Sequence, residues 1–235
     1  MVNHMENECL SVIIPVYNER DTILKIIDRV LKLDMLKEVI VVDDGSTDGT
    51  RELLEKGKFP GKVKTAFHER NAGKGAALRT GFGCAGGDII VTQDADMEYD
   101  PGELKELIAP IRNGFADVVY GSRLWGGKPQ RAHMFWHLMG NRFLTLVTDI
   151  LFNTTLTDME TGYKAFTRDV IKGMRLQSDD FSIEPEITAK ILKKKLRVYE
   201  LPISYYGRSY AEGKKITWVH GFSALWTLIR YRFTD

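Results

Sequence analysis

Cysteine is nearly absent from this 235-residue chain, which has only Cys9 and Cys84. Two such thiols build neither a disulfide framework nor a metal-ligand spacing, and they suit a reducing compartment. An excess of one charge is missing too. The 33 lysines and arginines are balanced by 32 acidic residues, for a formal net charge of +1, so no bulk electrostatic argument supports nucleic acid binding. No stretch approaches the roughly 18 uninterrupted apolar residues of a transmembrane helix. Met1 to Cys9 lacks the apolar core of a secretory signal, so a cytoplasmic location is expected. There is no internal repeat, low-complexity tract or linker that would separate two domains. The expectation is one α/β domain over residues 1–235, with ample length for a core.

What the chain does have is alternation of strand and helix patterns. Leu10 to Ile14 reads as a buried strand ending at Pro15. Ile23, Ile26, Ile27, Val30 and Leu31 then fall on one helical face. Strands are expected again at 38–42, 63–67, 88–92, 117–120 and 198–202, with helices near 73–85, after Asp100, and near 134–152, 185–194 and 216–233. Strands separated by helices imply right-handed crossovers and a mostly parallel sheet.

The most informative stretch is Gln93-Asp94-Ala95-Asp96-Met97-Glu98-Tyr99-Asp100-Pro101. It follows a short apolar strand and precedes a helix start, with Asp100 as cap, Pro101 at the first position and Glu103 at the third. The acids therefore lie at the carboxyl edge of the sheet, where open α/β folds bind ligands. Alternation along an extended segment would put Asp94 and Asp96 on one side. Two converging carboxylates repel unless a cation lies between them, and hard oxygen ligands suit Mg²⁺ or Mn²⁺. A lone Asp-x-Asp is more often a solvated loop, so the neighbouring motifs carry the argument. Pro15-Val16-Tyr17-Asn18-Glu19 and Asp43-Asp44-Gly45-Ser46 also follow strands. Singly each is ordinary turn chemistry; together with the acidic run they place three polar clusters on one edge. Tyr17 is placed to stack on a base, and carboxylates there to bind ribose hydroxyls. Lys74 opens a helix within Gly73-Lys74-Gly75, a place that attracts phosphate, although the spacing is neither Walker A nor a dinucleotide fingerprint. His133 and His137 stand four apart, but without a third ligand they read as helix positions rather than a zinc pair.

Taken in order, Pro15 to Glu19, Asp43 to Ser46, Asn71 to Gly75, Gln93 to Asp96, Asp100-Pro101 and Gly121-Ser122-Arg123 resemble the motif set of family 2 glycosyltransferases with the GT-A fold. The likeness is strongest to the dolichol-phosphate mannose synthases and bacterial polyprenyl-phosphate sugar transferases, and it covers roughly residues 10–215. It implies a nucleotide-sugar half at about 10–120, an acceptor half at about 121–215 and a C-terminal amphipathic helix at 216–235. Pro15, Tyr17, Glu19, Asp44 and Lys74 would bind the nucleotide. Asp94 and Asp96, with Glu98 as a further ligand, would hold the metal. Arg123 and Arg131 would meet the acceptor phosphate, and Arg208 and Lys214 would belong to a flap closing on phosphates. Asp94, Asp96, Arg123, Arg208 and Lys214 form the catalytic set. Asp158-Met159-Glu160-Thr161-Gly162-Tyr163-Lys164 resembles the Asp-Pro-Thr-Ser-Gly-Phe-Arg of the mannose synthases. Met for Pro and Lys for Arg leave the sugar open, and Glu184 lies in a matching acidic position.

The implied activity is inverting, metal-dependent transfer of a hexose, from GDP-mannose or a UDP-hexose, to a dolichyl or undecaprenyl phosphate at the cytoplasmic face of the membrane. A phosphate acceptor is already an ionised nucleophile, so no catalytic histidine is needed. Transfer to a saccharide hydroxyl is the alternative; it needs a base, for which Asp158 and Glu160 are candidates. A non-catalytic nucleotide-sugar-binding protein would have no use for Arg123, Arg208 and Lys214. A Rossmann oxidoreductase is disfavoured because no glycine fingerprint follows the first strand. Trp218, Phe222, Leu225, Trp226 and Ile229 form an apolar stripe beside Lys214, Lys215, Arg230 and Arg232. That stripe suits either an in-plane interfacial helix or packing on its own domain. A lipid acceptor would be reached from the membrane surface, or with membrane parts supplied by a partner protein.

Overall fold

The structure, a computed structural model, describes residues 9–132, 134–209 and 219–234. Along the chain run β1 (Leu10–Val16), α1 (Ile23–Val30), β2 (Leu36–Asp43), α2 (Thr50–Lys56), β3 (Val63–Phe67), α3 (Lys74–Cys84) and β4 (Ile89–Thr92). A 3₁₀ turn (Pro101–Glu103), α4 (Leu104–Leu107), α5 (Ala109–Arg112), β5 (Val118–Ser122) and α6 (Phe135–Phe152) follow. The last elements are β6 (Lys164–Thr167), α7 (Arg168–Lys172), α8 (Ile183–Lys193), β7 (Val198–Pro202) and α9 (Val219–Phe233). The strands form one seven-stranded sheet in the order β3-β2-β1-β4-β6-β5-β7. All pairings are parallel except those of β6, which runs antiparallel to both β4 and β5.

Both faces of the sheet's centre are covered, which is why β1, β2 and β4 read as nearly continuous apolar runs. Val12, Ile14, Val39, Val41, Ile89 and Val91 pack toward the side of α1, α4 and α5. Their neighbours Ile13, Ile40, Val42 and Ile90 pack toward α3, α7 and α8. A smaller apolar cluster joins Leu144 of α6, Met159, and Ala224 and Leu228 of α9.

The structure departs from the sequence expectation in three places. β1 continues through Pro15, opposite Val42, instead of ending there. The proline is tolerated because β4 stops at Thr92, opposite Ile13, so no ladder partner remains for the missing N–H. β6 was not foreseen; four residues containing Lys164 offer little strand signal, yet the strand is buried between β4 and β5. The extended chain expected through Asp96 ends earlier, since Ala95 and Asp96 lie in a turn and Met97 adopts a left-handed φ of 64°. Asp94 and Asp96 consequently meet different partners.

The antiparallel strand has a functional consequence. The carboxyl ends of β1, β2, β4, β5 and β7 point to one edge, and the amino end of β6 joins them there. Residues after Val16, Asp43, Thr92, Ser122 and Pro202, and those before Lys164, are delivered to the same place.

Candidate active site

Asp100 caps the 3₁₀ turn as expected, its Oδ1 accepting from the Gly102 N–H at 3.0 Å. This anchors the end of the acidic run. Glu19, Asp96 and Glu98 then gather around Arg208. The guanidinium donates to both Glu19 oxygens, at 3.1 and 2.9 Å, and to Asp96 Oδ2 at 2.9 Å. Glu98 accepts from the Arg208 backbone N–H at 2.7 Å and the Tyr205 hydroxyl at 2.8 Å. Two carboxylates thus share the guanidinium, and Glu98 Oε1 lies 3.7 Å from its Nε. Burial, with Asp94 and Glu98 nearby, pushes the Asp96 carboxyl up to about 7 despite Arg208.

Asp94 turns the other way. Its Oδ1 receives Lys74 Nζ at 2.9 Å, and that ammonium also reaches Glu184 at 3.2 Å. Burial alone would lower the Lys74 pKa, but the two carboxylates outweigh it and keep the side chain charged. Lys164, fully buried, donates to Glu184 Oε2 at 3.1 Å and to the carbonyls of Met159 and Thr161. Gly162 belongs to this tight region: a Cβ there would collide with Asp94 Oδ2. The Gly162 N–H donates to the Tyr99 hydroxyl at 3.0 Å, and Tyr99 stacks on Tyr163 with centroids 4.7 Å apart.

Asp44 braces the loop that carries Lys74. Its oxygens accept from the N–H groups of Ala72 and Gly73, at 3.0 and 2.8 Å, and lie 2.7 Å from His68 Nδ1. Gly73 has a φ of 101° and approaches the Asp179 carbonyl so closely that a side chain there would clash. Pro15 and Tyr17, both half-buried, stand at the end of β1 beside Glu19.

On the other side, Arg123 makes a two-pronged pair with Asp158, Nε to Oδ2 and Nη2 to Oδ1, each at 2.7 Å. The Arg123 N–H and Asn141 Nδ2 complete the Asp158 shell at 2.9 and 3.0 Å. Burial would raise the Asp158 pKa, but Arg123 prevails and keeps it low. Arg123 also lies over the Tyr205 ring, 5.2 Å from its centroid. Arg131 Nη1 donates to the Gly207 carbonyl at 3.0 Å, next to Arg208. Glu160 is different: its Oε1 is buried without a hydrogen-bond partner among the described residues, and burial pushes its carboxyl up to about 7.

A scan of family models matches residues 11–174 to Glycosyl transferase family 2. The chain belongs to that family. A UDP-N-acetylglucosamine–dolichyl-phosphate N-acetylglucosaminyltransferase of Methanococcus voltae is 31% identical over 96% of each chain. The dolichol-phosphate mannosyltransferase of Pyrococcus furiosus is 33% identical over 87% of this chain and 58% of its own. A polyprenol monophosphomannose synthase of Mycolicibacterium smegmatis is 30% identical over 86% of this chain and 79% of its own. Among solved structures, glucosyl-3-phosphoglycerate synthase of Mycobacterium tuberculosis, in complex with Mn²⁺, UDP and phosphoglyceric acid, superposes with a TM-score of 0.75. It is 19% identical, covers 97% of this chain and 80% of its own, and establishes the fold as that of the GT-A glycosyltransferases. The family 2 chain is a glycosyltransferase of the kind whose relatives serve polyprenyl phosphates.

The site residues expected from sequence fall into two groups. Glu19, Asp96, Glu98 and Arg208 converge directly, and Lys74 with Asp94 forms an adjoining pair. Asp44, Arg123 and Arg131 instead contact protein groups. Lys214, Trp218 and His133 lie outside the described residues. Among the described residues no three or more His, Cys, Asp or Glu side chains form a ready metal cage. A divalent ion nevertheless fits the donor set, since Asp96 and Glu98 are hard oxygen donors in one acidic cluster. Sequence reading missed His68, which follows β3 and so reaches the same edge, and Tyr205, which links Glu98 to Arg123. Position after a strand was the available signal for His68.

Proposed function

We propose that this family 2 enzyme transfers a hexose with inversion from a nucleotide-sugar to a polyprenyl phosphate at the cytoplasmic membrane face, using Mg²⁺ or Mn²⁺. The observation that carries the reading is the juxtaposition, on one sheet edge, of the Asp94, Asp96 and Glu98 carboxylates with Arg208 and Lys74. Asp96, with Asp94 and Glu98 beside it, would hold the ion, which when bound stabilises charge on a diphosphate. Pro15, Tyr17, Glu19 and Asp44 line or brace the end where the nucleoside would sit. Lys74 and Arg208 supply cations for the leaving diphosphate, and Lys214 is assigned the same role from sequence. Arg123 and Arg131 stand on the acceptor side. An acceptor phosphate oxygen bonds to the anomeric carbon as the bond to the diphosphate breaks, and the nucleoside diphosphate departs with the electron pair. No proton has to be removed from the acceptor, so no general base is required. The two relatives with dolichyl-phosphate names support the acceptor class, while their different sugars leave the donor as GDP-mannose or a UDP-hexose.

A second reading, transfer to a saccharide hydroxyl, is favoured by one observation. Of the two candidate bases, Asp158 is locked to Arg123, whereas Glu160 has a buried oxygen unpartnered among the described residues and a carboxyl near 7.

A panel of radiolabelled nucleotide-sugars, incubated with membranes and divalent ion and then extracted into organic solvent, tests both. Label entering the organic phase in alkali-stable, mild-acid-labile form supports the prenyl phosphate product. Label entering only saccharide supports the second reading.

A further inference from the structure

Asn141 Oδ1 and Glu160 Oε1 are buried oxygens without a hydrogen-bond partner among the described residues. A buried acceptor left unpaired costs stability, and folded proteins concentrate such violations at functional sites. Both oxygens flank Asp158. The Asn141 amide donates through Nδ2 to Asp158 Oδ1 at 3.0 Å. Arg123 keeps that carboxylate ionised, so it only accepts, and the amide must turn its NH₂ toward it and its oxygen away. Glu160 stands two residues further along the same loop. Lys164 pins the backbone on both sides of it, donating to the Met159 carbonyl at 3.0 Å and to the Thr161 carbonyl. Its third bond goes to Glu184 Oε2 at 3.1 Å. An ammonium has three donors, so Lys164 has none left for Glu160.

The place of these two groups selects the ligand. Gly162 lies so close to Asp94 that a Cβ would strike its Oδ2, and Lys74 joins Asp94 to Glu184. The loop from Asp158 to Gly162 therefore runs from the Arg123 pair to the Asp94–Lys74 pair, with Glu160 at its middle. In the proposed reaction the first pair stands on the acceptor side and the second meets the leaving diphosphate. The transferred hexose stands between them. Uncharged acceptors such as the Asn141 oxygen do not attract phosphate, which has only oxygens to offer. They suit groups with a hydrogen to donate, and a sugar ring supplies these as hydroxyls or as an acetamido N–H. The Glu160 carboxyl, pushed up to about 7 by burial, donates as well as accepts below that pH.

We propose that Asn141 and Glu160 form a subsite that hydrogen-bonds the hydroxyl or acetamido groups of the transferred hexose and so sets which nucleotide-sugar is accepted. This deepens the reading of a nucleotide-sugar donor, on which it rests.

The test is calorimetric titration of the full chain with Mn²⁺ and no acceptor. The probes are GDP-mannose, UDP-glucose and UDP-N-acetylglucosamine, their monodeoxy analogues, and free GDP and UDP. The parent is expected to bind at least one deoxy analogue about tenfold more weakly than the intact donor, because a buried group is then left unpaired. Glu160→Ala should shrink that difference to within about twofold, the signature of a broken pairwise contact, while free GDP or UDP binds as in the parent. Glu160→Gln still offers a donor and an acceptor and should retain most of the discrimination. Asn141→Ala should lose discrimination against one analogue by a similar factor. A Glu160→Ala protein that discriminates like the parent would overturn the proposal and return Glu160 to the role of a base. Weakening of free GDP or UDP as large as that of the intact donor would overturn it too, since that marks a structural role. So would a parent that binds the donors but is indifferent to every deoxy analogue. A parent that binds no nucleotide-sugar would instead sink the donor reading, and the subsite with it.

Discussion

Around Arg208 and around Arg123 the same side chain meets carboxylates in opposite ways. Arg208 is shared by Glu19 and Asp96, with Glu98 on its backbone N–H. Arg123 has a single carboxylate, matched prong for prong, and Asn141 fills the remaining valence of Asp158. The first arrangement gathers acids from the ends of β1 and β4 around one side chain. The second is electrically closed and holds its loop in place. In the proposed reaction the Arg208 cluster would meet the ion and phosphates, while the Arg123–Asp158 pair would serve as framework on the acceptor side. Arg123 would reach an acceptor phosphate only if that framework were shared or exchanged.

The sharpest way to break the contrast is to strike the Arg208 cluster. Asp96→Ala, or chelation of divalent ions from the parent, should reduce transfer by at least about a thousandfold, as expected when several kcal/mol of charge stabilisation are lost. Unimpaired transfer in EDTA would mean that no divalent ion is needed and that the clustered acids have another purpose. The next test strikes the closed pair. Asp158→Ala leaves Arg123 buried without a carboxylate and should lower unfolding free energy by about 3–5 kcal/mol, read from urea denaturation. A loss under ~1 kcal/mol would show that Arg123 escapes easily to solvent or to ligand, erasing the distinction.

A smaller effect is expected at Arg208. Arg208→Lys keeps the charge but loses the fork that spans Glu19 and Asp96, so turnover should fall about a hundredfold while affinity for the free nucleoside diphosphate changes less. Turnover equal to the parent would make this segment a simple solvated turn. The smallest effect concerns Glu160. Its carboxyl is raised by burial first, with Glu184 and Asp158 adding to this against Lys164 and Arg123. The folded state thus keeps a proton that the unfolded chain releases. Stability from this group is full below the ordinary carboxylate range and is lost as pH rises toward about 7. Glu160→Gln should therefore raise Tm by about 2–4 °C at pH 8 and by less at pH 5, the scale of ~1 kcal/mol in a domain of this size. An equal gain at both pH values would remove titration as the cause.

Much of this was legible before folding. β2, β3, β4 and β7 were placed to within a residue or two; β2 and β4 are buried on both faces and so nearly all apolar, while the edge strands β3 and β7 are partly exposed. That logic also put the residues after β1, β2 and β4 on one edge, since parallel strands end together. The cap at Asp100 was readable because capping is local. β6 was not readable: its strand character comes from the slot between β4 and β5, not from the composition of Lys164–Thr167. Nor could spacing reveal that Asp94 turns to Lys74 while Asp96 turns to Arg208, because the turn between them sets their directions.

The sequence by itself determined the alternation of strands and helices, the identity of the acid and basic groups at the strand ends, and the amphipathic stripes of α6 and α9. These follow from local periodicity and from residue chemistry. The tertiary structure alone decided which charges would meet. Glu19 and Arg208 are 189 positions apart, and only the return of the chain from β7 to the ends of β1 and β4 brings them within hydrogen-bonding distance. It likewise decided that α6 and α9 would pack together, because each helix buries one face against the same small core around Met159.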